Sequence, residues 1–291
     1  MHFGLVFANV GRYGTPQGAA TLARAAEDAG FESIWTVEHV VVPEGYESEY
    51  PYAEGGRMPG RESAPIPDPL IWLSYLAGVT TTIKLATGIL IAPQRNPVVL
   101  AKEAATLDVL SAGRLVLGVG AGWLEEEFDA IGVPFGDRGK RLDDHIGALR
   151  ALWTGTPASY DGEFSKFANV YSEPSPTFGT IPIVIGGHSP AAARRAGRMG
   201  DGFFPGRGEL PELNGLFDIM RVAAIEAGRD PAIIELTGPG TVAFGPDPIG
   251  ALHQYEEAGI SRVTVPPLSF DPATIGETLG RFGEDVIAKL R

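Results

Sequence analysis

An acid and an imidazole stand side by side at Glu38–His39, directly after the apolar run SIWTV (33–37). An imidazole with an ordinary pKa of about 6.5 can give or take a proton near neutrality. His39 is therefore the first candidate for acid–base chemistry, the plainer alternative being a loop histidine paired with Glu38. A second cluster, Gly186-Gly187-His188-Ser189-Pro190, ends the run IPIVIG (181–186) and opens a helical pattern. Ser189 suits an N-cap and Pro190 the first helical position. Free N–H groups at a helix start attract an anion, and two glycines let it come close. Gly186, Gly187, His188 and Ser189 are thus a candidate phosphate site. GHSPA also approximates the elbow of serine hydrolases, but the residue after that nucleophile must offer its N–H to an oxyanion, and Pro190 has none.

Three further stretches bear on chemistry. Thr87-Gly88-Ile89 lies inside the run KLATGILIA (84–92), where a glycine marks a bulge or a close backbone approach, or is simply an ordinary strand residue. Gly118-Val119-Gly120-Ala121-Gly122 invites a dinucleotide-binding label. Trp123 occupies the place of the third fingerprint glycine, and the run follows the fourth strand rather than the first, so that reading is rejected. Arg138, Lys140 and Arg141 open the next helix. A guanidinium there could fork onto phosphate or pair with Asp137 and Asp144. Glu125, Glu126 and Glu127 read as a helix start that suits the dipole. Asp143, Asp144 and His145 lack metal-ligand spacing, and no metal is expected.

These residues need a frame, and the chain supplies one by alternation. Strands are predicted at 2–7, 33–37, 84–92, 114–119, 181–186, 201–204, IIELTGPGTVAF and 262–266, each followed by a segment with helical spacing of apolar residues. Alternation implies parallel strands joined by right-handed crossovers. Eight units in 291 residues predict a closed α/β barrel, the (β/α)8 TIM barrel, as a single domain over 1–291. An open doubly wound sheet, normally of five or six strands, is the competitor. Insertions after strands 2 and 4 break the rhythm. Residues 40–67 carry Tyr46, Tyr50 and Tyr52 and read as a lid over the active face or as a dimer contact. Residues 154–180 suggest a small hairpin around Asp161-Gly162.

Composition closes off other classes. The chain has no cysteine, which excludes disulfides, thiolate metal sites and cysteine nucleophiles. Its 36 acidic and 23 basic residues give a net charge of −13, with no basic and aromatic cluster of the kind nucleic acid needs. No apolar run approaches the roughly 20 residues of a membrane span, and MHFGLVFANVG lacks the features of a signal peptide. A cytoplasmic protein that contacts neither nucleic acid nor membrane is expected.

Taken together, GFESIWTVEHVVVP, TGILIAPQRNPVVLAKEAATLDVLSAGRLVLGVGAGW, RGKRLDD and IPIVIGGHS resemble the luciferase-like monooxygenase superfamily, in its deazaflavin (coenzyme F420)-dependent oxidoreductase branch. The resemblance runs in order over nearly the whole chain. It implies a flavin or deazaflavin at the C-terminal ends of the strands, with Glu38 and His39 at the ring or the substrate. It also implies a cis peptide at Gly88–Ile89, after Thr87, bulging against the ring face. Gly120 would lie beside the cofactor, and Gly186 to Ser189 with Arg141 would hold its phosphate. Sugar-phosphate dehydrogenases of the family carry a catalytic glutamate where Trp123 stands, so an apolar, flat substrate stacking on Trp123 is expected instead. The implied activity is hydride transfer between coenzyme F420 and a small organic substrate, in a homodimer. The alternatives are an FMN-dependent monooxygenase on the same barrel and a cofactor carrier or sensor without turnover.

Overall fold

Among the described residues, five of the nine α-helices begin with the same device, a polar N-cap followed by proline: Thr15-Pro16, Asp68-Pro69, Asn96-Pro97, Ser189-Pro190 and Asp247-Pro248. In each, the cap side chain accepts a backbone N–H that the first turn leaves unpaired, and proline fills a position needing no donor. The computed structural model describes residues 1–53, 55–154 and 157–290. Its first half runs β1 (His2–Leu5), α1 (Pro16–Asp28), β2 (Ser33–Thr36), α2 (Pro69–Ala77), β3 (Lys84–Thr87), β4 (Leu90–Ile91), α3 (Pro97–Leu110), β5 (Leu115–Gly120), α4 (Glu125–Ile131) and α5 (Arg138–Thr154). The second half runs β6 (Ala158–Asp161), β7 (Lys166–Val170), β8 (Ile183–Gly186), α6 (Pro190–Met199), β9 (Gly202–Phe204), α7 (Leu210–Glu226), β10 (Glu235–Pro239), α8 (Pro248–Glu257), β11 (Ile260–Val265) and α9 (Ile275–Asp285).

The parallel order β3-β2-β1-β11-β10-β9-β8-β5 closes because β3 pairs back onto β5, Leu85 opposite Leu115 and Ala86 opposite Val116. The expected strand 84–92 is split. β4 resumes the ladder on β5, with Leu90 opposite Val119, after an interruption at Gly88–Ile89. Counting β3 and β4 as one position leaves eight, and the architecture is the (β/α)8 barrel. The first strand also stops short of its expected end, because Phe7 takes a left-handed φ of 60° that cannot continue a ladder. In the second insertion β6 and β7 pair antiparallel, Asp161 opposite Lys166, with a turn closed by the Gly162 N–H on the Ser165 carbonyl. Glu54, Gly155 and Thr156 of the two insertions lie outside the described residues. Among the described residues, no helix is long and apolar enough to cross a membrane.

The barrel interior is a small apolar layer of Val6, Trp35, Ala86, Val116, Val184 and Phe204. Trp35 is fully buried and fills most of it, its indole N–H donating to Ser33 Oγ at 2.8 Å. Gly4, Gly88 and Gly118 surround that ring, and a Cβ on Gly4 would lie 2.6 Å from the indole nitrogen. Below Trp35, at the N-terminal end, fully buried Arg262 spans Glu32, at 2.9 Å through both Nε and Nη2, and Glu235, at 2.8 Å through Nη1. The barrel interior is therefore closed at its N-terminal end by this ion-pair network.

Candidate active site at the barrel mouth

The end of β2 is placed by fully buried Asn9, whose Oδ1 accepts the Val37 N–H and whose Nδ2 donates to the Val37 and Pro67 carbonyls. From this clamp Glu38 and His39 diverge. Glu38 turns inward: Oε2 accepts the Ile91 N–H at 2.5 Å and Oε1 accepts from Arg95 Nη2 at 2.5 Å and Nε at 3.2 Å. Arg95 in turn reaches Asp68 at 2.7 Å. Burial pushes the Glu38 carboxyl above the ordinary carboxylate range, opposed by Arg95 and the Ile91 amide. Through these bonds Glu38 holds the backbone beyond the β3–β4 break.

His39 does not pair with Glu38. Its Nδ1 lies 3.2 Å from Oε2 of Glu127, a fully buried carboxylate whose Oε1 accepts the N–H groups of Val40 at 2.5 Å and Val41 at 3.3 Å. Beside it, Glu126 takes the N–H groups of Glu47 and Ser48 and the Ser48 hydroxyl, and these bonds hold its carboxyl at about 2. The acidic run is thus more than a helix start, since it grips the 40–67 insertion at two points. Only the position of Glu127, one residue before apolar Phe128 and four beyond Trp123, hints at this in the sequence.

Trp123 sits at the centre of the mouth. His39, Tyr46 and Tyr50 meet it edge-to-face with ring centroids 5.6, 5.4 and 5.1 Å away, and Tyr52 packs on Tyr50 at 5.5 Å. Such aromatic contacts add about 0.5–1.5 kcal/mol each beyond area burial. Burial raises the Tyr50 hydroxyl to about 12, so it remains a hydrogen-bond donor at neutral pH. The insertion is thereby folded down over the mouth on a ladder of rings.

The residues at the β3–β4 break meet the two glycine runs. The Gly88–Ile89 peptide bond is cis. The Ile89 side chain lies between β5 and β8 at the very places where Gly120 and Gly186 have no side chain, and a Cβ on either would overlap it. Thr87 is fully buried and ties β3 to β5 by donating to the Gly118 carbonyl at 2.6 Å. The Gly186→Ala variant is accordingly expected to lose about 1–3 kcal/mol by overpacking against Ile89. Gly136→Ala, where a Cβ meets nothing within 4 Å, is the control. Urea titrations of both variants check this, and equal midpoints would remove Ile89 from its proposed seat.

At the β8 exit, Ser189 caps α6 by accepting the Ala192 N–H at 3.2 Å, and Gly187 adopts φ 132°, open to glycine alone. His188 donates to the Glu212 carboxylate at 2.6 Å through Nε2, while its buried Nδ1 has no hydrogen-bond partner among the described residues. The Tyr52 hydroxyl lies against the His188 backbone N–H, which partly offsets the upward push of burial on that phenol. Arg141 is not brought here. Its guanidinium pairs with Asp137 at 3.1 Å and lies over the Phe164 ring at 4.3 Å, which is the pairing alternative.

The luciferase-like monooxygenase family model matches residues 1–281. The chain belongs to that family. An uncharacterized protein of Mycobacterium tuberculosis is 34% identical over 278 residues, covering 92% of this chain and 94% of its own. The F420-dependent glucose-6-phosphate dehydrogenase of Nakamurella multipartita is 33% identical over 226 residues, 74% of this chain and 60% of the relative. Among solved structures, a monooxygenase of Streptomyces bottropensis superposes with a TM-score of 0.74 at 23% identity over the full length of both chains. The luciferase-like barrel thus carries both deazaflavin and monooxygenase relatives.

Proposed function

We propose that this protein is an oxidoreductase that transfers a hydride between a deazaflavin coenzyme, F420, and a small organic substrate. The observation that carries the reading is the seat of Ile89 between Gly120 and Gly186, with the His39–Trp123 pair at the same mouth. An apolar bulge flanked by strands without side chains makes a flat floor for a planar ring. The glycine-lined start of α6, capped by Ser189, offers backbone N–H groups to a phosphate. These residues fit the group. Backbone N–H groups at the start of α6 would hold its phosphate, those of Gly187 and His188 being given to the Phe204 carbonyl and the Tyr52 hydroxyl, and Ile89 would support its ring. Arg141 is left out of that set because Asp137 already uses it.

When bound, the deazaflavin supplies the carbon that carries the hydride. His39 holds or accepts the substrate proton at its ring nitrogen, and Trp123 with Tyr50 excludes water and presents an apolar face. Trp123 in place of a glutamate argues for an apolar substrate, against sugar phosphate. The name of the 33%-identical relative supports deazaflavin, and the monooxygenase neighbour keeps FMN as the second reading. A homodimer belongs to the same proposal, supported by the exposed apolar side chains Ile71 and Tyr75 on α2 and Val98 and Val99 on α3. Sedimentation measures it.

Absorption and binding titrations with each cofactor separate the readings. Coenzyme F420 is expected to bind, and its reduced form to be oxidised on adding a member of a panel of enones and quinones. Tight binding of FMN with none of F420 would overturn the proposal. Binding of F420 without any oxidation across the panel would favour a carrier.

A further inference from the structure

The carboxylate of Glu127 is fully buried at the mouth and shared between the proposed acid–base residue and the insertion above it. An ionised carboxylate only accepts hydrogen bonds. Oε1 is taken by the N–H groups of Val40 and Val41, so Oε2 faces His39 Nδ1 at 3.2 Å as an acceptor and Nδ1 must carry the proton. We infer that Glu127 is a positioning residue that holds the His39 imidazole as its Nδ1–H tautomer, leaving a bare Nε2 as the nitrogen that meets a substrate hydroxyl or proton. Its use in turnover rests on the hydride-transfer reading above, whereas the tautomer itself does not.

Two structural features make this more than an ion pair. Glu127 lies on α4, and the same carboxylate that fixes the ring also fixes the first two amides after His39, so ring orientation and backbone entry into the insertion are set by one group. Trp123, four residues earlier on the same segment, meets the His39 ring edge-to-face at an interplanar angle of 85°, which restricts rotation about the side chain from the other side. An imidazole held at one nitrogen and braced by a perpendicular indole has a single orientation, which is what a base needs in order to meet its proton in line.

The test is the Glu127→Gln variant. The two backbone donors keep the carboxamide oxygen on Val40 and Val41, so the carboxamide NH2 must face Nδ1 and force it to be the acceptor. Long-range 1H–15N correlation spectra of histidine-labelled protein at alkaline pH, without cofactor, report the tautomer, and His39→Asn assigns the signal. The native protein is expected to show Nδ1–H and the variant Nε2–H, with kcat reduced by about 10²-fold and KM changed far less, because the basic nitrogen is lost while the pocket stays. A native spectrum dominated by Nε2–H overturns the inference even if the variant does not fold. So does a variant that keeps both the native tautomer and the native kcat. If the tautomers behave as expected but the native protein turns over no deazaflavin, the functional reading fails and the role of Glu127 on His39 stands.

Discussion

The His39→Asn variant is expected to lose about two to four orders of magnitude in kcat with F420 and substrate, while its unfolding midpoint stays close to that of the parent protein. Asparagine is the informative replacement because its side-chain NH2 can still donate toward Glu127 Oε2, which lies 3.2 Å from Nδ1 in the native chain, yet it carries no basic nitrogen. Alanine instead leaves a buried carboxylate oxygen unpaired and costs about 1–3 kcal/mol of stability, which mixes folding with chemistry. Single-turnover oxidation of reduced cofactor, followed by absorbance, separates binding from the chemical step. A His39→Asn variant that turns over at the native rate removes this residue from the mechanism.

At the opposite end of the barrel, Arg262→Met is expected to cost about 3 kcal/mol at pH 7, because it removes the fully buried guanidinium that pairs Glu32 and Glu235 and leaves Glu32 to Lys84 and Ser33 alone. Burial by itself would raise the Glu32 carboxyl, but hydrogen bonds from Arg262, Lys84 and Ser33 outweigh it and hold that group at about 2. A carboxyl depressed in the folded state adds stability at pH values above its unfolded pKa, and that stability is lost as pH falls from about 4.5 toward 2. The size of the shift corresponds to about 3 kcal/mol. Between neutral pH and pH 3 the gap between native protein and variant should therefore narrow, since the native protein loses most of that stability as the unfolded chain takes up protons, while Glu32 of the variant is free to protonate. Urea midpoints at both pH values measure this. A gap below about 1 kcal/mol at pH 7, or one that does not narrow, would falsify the ion-pair account.

Most of the architecture was legible because it depends on local pattern. Alternating apolar runs and helical spacings, punctuated by Thr15-Pro16, Asp68-Pro69, Asn96-Pro97 and Ser189-Pro190, carry period and boundary information within a dozen residues of each element. The eight-fold alternation then leaves few ways to close the sheet. Strand ends are less legible in the sequence. β1 stops where Phe7 turns left-handed, and the predicted 84–92 strand breaks at Gly88–Ile89, neither of which the apolar pattern marks.

The candidate site divides along the same line. From the sequence alone came the residue types at the strand exits: His39, the glycines at 120 and 186, and the serine-capped helix start, each following directly on its own strand. Only the tertiary structure decided their partners. It turned Glu38 inward to Arg95 and Ile91, gave His39 to Glu127 across 88 residues, and set Trp123 under the insertion tyrosines. It also seated Ile89 between two distant glycines and kept Arg141 on Asp137. Side-chain pairing at a barrel mouth joins loops from separate strands, so no local period encodes it. A carboxylate reads the same in sequence whether it is solvated, like most of a −13 chain, or buried against an imidazole. That difference comes only from the closure of the sheet.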